Sequence, residues 1–344
     1  MIASPRLIVA LVAVGAMCGA CVPAGSEGAP ILDTTSAPRL TSLPAATTAS
    51  TTTTTTTTLG VPAGPEIEDG ETVCDLYGGE IIDFGTVASE AIIEASGLSA
   101  SRVNDATFWV VNDSGNASVL HAVGYNGADL GAFAINGVLG FDWEDMAVGP
   151  GPEPGVSYVY IGDIGDNLRL RNTISLLRFP EPDLADPPEA ISEVTTIRLS
   201  FPAGAEDAEA MWVDPLTGDI FVVTKRQQDG RAVVYRAPPA PAEVREPIAM
   251  TPVAEFRFPD NGEVTAADVT TDGSVVALRG YNEVWMWVRV DLGYEATLAA
   301  EPCMAPSPDE IQGEALGFIP GELSYVTVSE GSAKSLNLVP VSQP

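Results

Sequence analysis

Five short segments share one shape: a polar residue, any residue, then Ser, Glu or Ala, a small or acidic residue, and an aliphatic. They are Glu94-Ala95-Ser96-Gly97-Leu98, Asp142-Trp143-Glu144-Asp145-Met146, Asp207-Ala208-Glu209-Ala210-Met211, Thr265-Ala266-Ala267-Asp268-Val269 and Gln312-Gly313-Glu314-Ala315-Leu316. Their first and third positions carry oxygen donors almost throughout, and no Lys, Arg or His stands in any of the five. Carboxylates crowded together away from bulk water raise one another's pKa values or recruit a counter-ion. An all-oxygen donor set suits a hard cation, Ca²⁺ before Mg²⁺, because Ca²⁺ accepts about 6–8 oxygens in flexible geometry. It points away from Zn²⁺ and Cu²⁺. The candidate ligands are Ser96, Glu144, Glu209, Glu314, Asp142 and Asp207. The competing reading is a water-filled polar channel whose acids face solvent.

The elements that must position these residues are strands. Each segment precedes a β-branched or aromatic run: Thr107–Val111, Ser157–Ile161, Asp219–Thr224, Ser274–Leu278 and Leu323–Val328. Gly, Asp, Asn and Pro clusters bound the runs. The third residues of the segments are spaced by 48, 65, 58 and 47 residues, the length of a four-stranded propeller blade. The fold expected is an all-β, five-bladed β-propeller. Six blades, with a degenerate repeat inside the 65-residue interval, is the alternative. Only 30 residues follow Glu314, enough for three strands. The fourth is expected from Gly79–Ala88, which would close the ring and remove an open sheet edge. Alternate residues of a strand share a face, so the first and third positions are expected to face the axis at two levels.

The turns after the second strands should ring the mouth above those levels. They contain Asn112, Asp113 and Asp163, and three bases, Lys225, Arg226 and Arg279. Asn112 with the three bases would form a pocket for a small anionic ligand. Asp163 and Asp113 are candidates to position water in a hydrolytic reaction. Taken one at a time, the three bases read better as surface charge balance, and only their recurrence at equivalent turns brings the pocket level with that reading.

The ends of the chain set the compartment. Met1–Arg6 carries one positive charge, an apolar run spans Leu7–Met17, and small residues lead to Cys21, the pattern of a secretory signal peptide over residues 1–21. The run is too short to span a membrane, which takes ~20 apolar residues. Gly19-Ala20-Cys21 resembles the bacterial lipobox, with Cys21 the residue to be lipidated and Cys18 where that pattern usually has Leu. Residues 22–70, with an unbroken run Thr51–Thr58, hold too little apolar surface to fold and read as a stalk. Residues 71–344 are the propeller. Export leaves Cys74 and Cys303 as one disulfide pair. From residue 67 onward 14 of the 16 bases face 44 of the 47 acids, which excludes nucleic acid and anionic lipid as partners. The protein is expected at the cell envelope, on the outer face of the cytoplasmic membrane, or secreted. It would be a monomer that meets a membrane only through its lipid anchor.

The order Ser96, Glu144, Glu209, a small residue at 267, then Glu314 resembles the calcium-activated nucleotidase (apyrase) family. So do Glu144-Asp145-Met146-Ala147-Val148 and the later Tyr160-Ile161-Gly162. The repeated acid-x-Glu-small-aliphatic signature is also similar to bacterial phytase-like and SdiA-regulated propellers. The resemblance implies five blades, a central Ca²⁺ held by hydroxyls and Glu residues, and hydrolysis of phosphoanhydrides or phosphoesters. Ala267 departs from it, since that family has a hydroxyl there. His121 is the only histidine, so a Ser–His–Asp triad or a His-ligated metal has little to build on. Two functions follow as expectations: a cation-bearing ligand- or partner-binding module, or a calcium-dependent hydrolase.

Overall fold

The computed structural model describes residues 60–113, 115–225, 230–257 and 262–342. The signal peptide, Cys21, most of the stalk and Arg226 lie outside them. Five antiparallel sheets follow one another along the chain. Blade 1 is β2 (Ala95–Ala100), β3 (Thr107–Asn112), β4 (Val119–Gly124) and β5 (Asp129–Ala134). Blade 2 is β6 (Trp143–Pro150), β7 (Ser157–Asp163), β8 (Thr173–Pro180) and β9 (Thr195–Ser200), with the two-residue β13 (Ile248–Ala249) added parallel to β9. Blade 3 is β10 (Ala208–Val213), β11 (Ile220–Thr224), β12 (Ala232–Ala237) and β14 (Thr251–Phe256). Blade 4 is β15 (Ala266–Val269), β16 (Val275–Arg279), β17 (Val284–Val288) and β18 (Cys303–Ala305). Blade 5 takes β19 (Gly313–Phe318), β20 (Tyr325–Ser329) and β21 (Ser335–Val339) from the end of the chain and β1 (Ile82–Thr86) from its beginning.

The five-bladed, N-terminally closed ring is therefore as expected, and the six-bladed alternative is not. The long interval between Glu144 and Glu209 holds no hidden blade. It contains the long loop from β8 to β9, at whose start Glu181 accepts hydrogen bonds from Ser101 Oγ, Trp109 Nε1 and the Arg102 amide of blade 1.

The apolar pattern explains why the sheets stack. Each of the five apolar clusters joins two neighbouring blades. In β10, Met211 and Val213 face blade 2 while Ala210 and Trp212 face blade 4. A blade buried on both faces needs apolar residues at successive positions rather than alternate ones, as a two-sided sheet does. Hence runs such as Phe221-Val222-Val223 are fully buried.

Three of the domain's scarce bases are consumed inside this stack. Arg289 makes two hydrogen bonds, 2.9 and 2.8 Å, to the Asp214 carboxylate across the seam between blades 3 and 4, over the Tyr294 ring. Arg178 donates to the carbonyls of Ala240 and Pro241. Arg279 is fully buried and donates to Glu310 and the Ala315 carbonyl, so it binds blade 5 and is absent from the mouth. Cys74 and Cys303 are bridged across 229 residues, and the 3₁₀ turn Val73–Leu76 packs beside β17 and β18.

Breaking one partner of a buried pair leaves an uncompensated charge. Asp214→Asn is expected to lower unfolding free energy by about 3–5 kcal/mol in chemical denaturation, with a native far-UV spectrum at low denaturant.

Candidate functional site

The innermost strands β2, β6, β10, β15 and β19 contact one another in a ring around the axis. In four of them the pairing with the second strand slips by one residue: between Ala95 and Gly97, Trp143 and Asp145, Ala208 and Ala210, and Gly313 and Ala315. The extra residues are Ser96, Glu144, Glu209 and Glu314, the third positions of the repeat. A bulge leaves one residue out of the ladder and re-aims its side chain. All four side chains line one cavity of about 180 Å³ at the mouth.

Blade 4 has no such slip. Ala266 pairs with Arg279 and Ala267 with Leu278, so Ala267 matches Gly97, Asp145, Ala210 and Ala315 rather than the bulged residues. The fourth segment thus lacks a counterpart to Ser96 altogether. The bulges also undo the expected two-level stack. Asp145, one residue beyond the bulge, is fully buried on the axis. Its Oδ2 accepts from the amides of Met211 and Ala267 at 2.8 and 3.2 Å, tying blade 2 to blades 3 and 4. Asp268 similarly accepts from Phe318 N at 2.8 Å.

The first positions scatter. Glu94 and Gln312 line the cavity, where Glu94 accepts from Asn116 Nδ2 and Gln312 donates to Glu330. Asp207 does not line it; its Oδ1 accepts from the Asp166 amide at 2.8 Å. The Thr265 hydroxyl donates to the Gly313 carbonyl. Asn112, expected at a ligand, instead caps its own hairpin, accepting from the Ile93 and Glu94 amides and donating to the Ala91 carbonyl. Asp163 pairs with Arg171 at 2.6 Å and accepts from the Phe141 amide, outside the cavity. His121 sits buried on β4, and its Nδ1 has no hydrogen-bond partner.

Charge is divided within the cavity. Lys225 Nζ lies 3.0 Å from Glu209 Oε1. Burial opposes the lysine's charge, and Glu209 more than restores it, holding Lys225 above its usual value. Burial lifts Glu209 as well, against the pull of Lys225. Burial pushes Glu314 up to about 7, again with Lys225 opposing. Glu144 has no such neighbour in contact. Burial, then the Glu209, Asp113 and Asp142 carboxylates, push it up to about 11. Carboxylate oxygens of Asp113, Asp142 and Glu144 lie within 4.8 Å of one another. Gly165 runs beside this trio so closely that a Cβ there would collide with the Glu144 and Asp142 carboxylates. Ser96 completes the wall: it is 5% exposed, and its Oγ has no hydrogen-bond partner.

No protein-family model and no curated protein matches this sequence. Solved structures do. The β-propeller domain of Cps50 (Swd1) from Myceliophteria thermophila is similar over 76% of this chain and 100% of that one, at 11% identity and a TM-score of 0.40. A chain of a nidogen/laminin complex is similar over 69% of this chain and 73% of its own, at 10% identity and a TM-score of 0.42. Raptor from Chaetomium thermophilum is similar over 76% of this chain and 29% of its own, at 11% identity and a TM-score of 0.40. The likeness to calcium-activated nucleotidases rests on the short motifs alone.

The raised carboxyl values give stability a sign with pH. The native state holds protons on Glu144 and Glu314 that an unfolded chain, with ordinary Glu near 4.5, releases. Stability is therefore fully present below about pH 4 as far as these groups are concerned, and falls as pH rises through 7. In EDTA, the melting temperature is expected to drop between pH 5.5 and pH 8.5, and Glu144→Gln is expected to flatten that slope.

Proposed function

We propose that the axial cavity binds a divalent cation, Ca²⁺, and that the propeller presents it at the mouth as part of a ligand- or partner-binding module. The observation that carries this is the trio Asp113, Asp142 and Glu144 within 4.8 Å, of which Asp113 and Glu144 line the cavity together with the unpartnered Ser96 hydroxyl. A buried hydroxyl oxygen normally has a partner, and one more oxygen ligand is what a hard cation beside three carboxylates would use. Asp113 enters this set in place of Asp207, which holds a loop amide. Glu209 and Glu314 stand on the side neutralised by Lys225, so on this reading the cation would sit off the axis, toward blades 1 and 2. Bound there, Ca²⁺ would supply charge neutralisation and fix the four side chains.

The hydrolase reading has less support. It called on Lys225, Arg226 and Arg279 for an anion and on Asp163 or Asp113 for water, and of these Asp113 lines the cavity while Arg226 lies outside the described residues. Arg279 is buried against Glu310, Lys225 is paired with Glu209, and Asp163 with Arg171. Export with lipidation of Cys21 belongs to the same proposal, supported by the N-terminal pattern; such an anchor would display the mouth outside the cell.

Adding Ca²⁺ to EDTA-treated protein at pH 7.5 is expected to raise the melting temperature and release protons, because Glu144 must ionise to coordinate. Isothermal titration should give one site. Glu144→Gln should abolish it and Ser96→Ala weaken it. No heat and no melting shift with Ca²⁺, Mg²⁺ or Mn²⁺ would refute the cation site.

A further inference from the structure

Large apolar side chains are normally found singly on a surface, and a cluster calls for an occupant. Two loops of blade 2 at the mouth carry four: Leu139 and Phe141 ahead of β6, 80% and 71% exposed, and Leu168 and Leu170 after β7, 77% and 74% exposed. The loops are stitched together. The Asp163 carboxylate accepts from the Phe141 amide and from Arg171 Nη1. The Asp142 carbonyl accepts from the amides of Ile164 and Gly165. Asp166 joins its own loop through the Arg171 amide and reaches blade 3 through Asp207. The apolar tips are thus held outward by fixed loops, which lowers the entropy cost of docking on them.

What lies beside the patch sets the partner's charge. Asn167, the residue before Leu168, lines the axial cavity. That cavity's wall carries Glu94, Asp113, Glu144, Glu209, Glu314 and Glu330 against Lys225 as its one base among the described residues. A bound divalent cation would leave this rim negative. Arg171 is paired with Asp163, and Arg169, half-buried between the two leucines, is one positive charge beside a wall of six acids and one base.

We infer that the blade 2 side of the mouth is a docking surface for a protein segment that combines apolar side chains with Lys or Arg. The apolar residues would seat on Leu139, Phe141, Leu168 and Leu170, and the basic ones would reach the acidic rim. This rests on the patch and the rim charge, and stands whether or not a cation is bound.

The probe is a phage-displayed library of random short peptides, panned against the full chain with Ca²⁺ and with EDTA. Enriched sequences should pair Lys or Arg with Leu, Phe or Trp. The corresponding synthetic peptides should bind about tenfold or more weakly to Phe141→Ser and Leu168→Ser and weaken with salt. Met304→Ser, exposed on β18, should bind them unchanged. Both patch variants should keep the calcium-dependent melting shift, which separates this surface from the cation site. Enrichment of acidic or purely apolar sequences, no enrichment, or binding unaffected by both patch variants would overturn the proposal. So would capture of zwitterionic phosphatidylcholine vesicles through the patch in place of peptide.

Discussion

A propeller leaves the inward edge of every innermost strand without a strand to pair with, and here five such edges face one another around an axis on which Asp145 is fully buried. Unpaired amides at that depth are costly. The chain meets the constraint with short polar side chains reaching from one inner strand to the next. Ser99 Oγ accepts from Val148 N between blades 1 and 2. Asp145 serves Met211 and Ala267, and Asp268 serves Phe318. Burial pushes Asp145 well up and Asp268 up to about 6, so the carboxylates that hold the blades together share the electrostatic strain of those at the mouth. Axial acidity thus bridges the blades below and lines the mouth cavity above, divided by the bulges.

The bulge is the device that makes both roles possible in so few residues. In an unbulged strand Glu144 and Asp145 would point to opposite faces. With one residue thrown out of the ladder, Glu144 lines the mouth cavity while Asp145 stays on the axis. Blade 4 lacks the bulge, and on that side the cavity is lined instead by Lys225 from blade 3 and Tyr281 from the turn after β16. The asymmetry of one blade therefore decides which of the cavity's acids stand beside Lys225.

Much of the fold was legible because a blade repeats: spacing, turn clusters and the shortfall of one strand after Glu314 led to five blades and the closing strand near Gly79–Ala88. The bulged residues were found by their shared position, although their geometry was not, since a period-of-two rule carries no sign of a skipped pairing. For the same reason Ala267 was aligned one place off and Asp145 went unnoticed as an axial residue. Arg279 was misplaced for a different cause. It occupies the position equivalent to Asn112, Asp163, Thr224 and Ser329 in the other blades, and only the packing of blade 5 shows that its guanidinium turns into the seam. Asp113 was marked as chemically interesting in a turn, but its partnership with Asp142 and Glu144 is a contact between blades that sequence spacing does not encode.

The closing strand and the disulfide are consecutive along the chain, and the order matters. Cys74 precedes β1, and its bond leads to Cys303 in β18, the outer strand of blade 4. Tension applied to any point ahead of Cys74 passes through that covalent bond into blade 4 before it can reach β1. The ring is sealed by hydrogen bonds between β1 and β21, yet a pull from the N-terminal side does not peel that seal. The bridge acts as a strain relief, taking the load off the seam on which the circle depends.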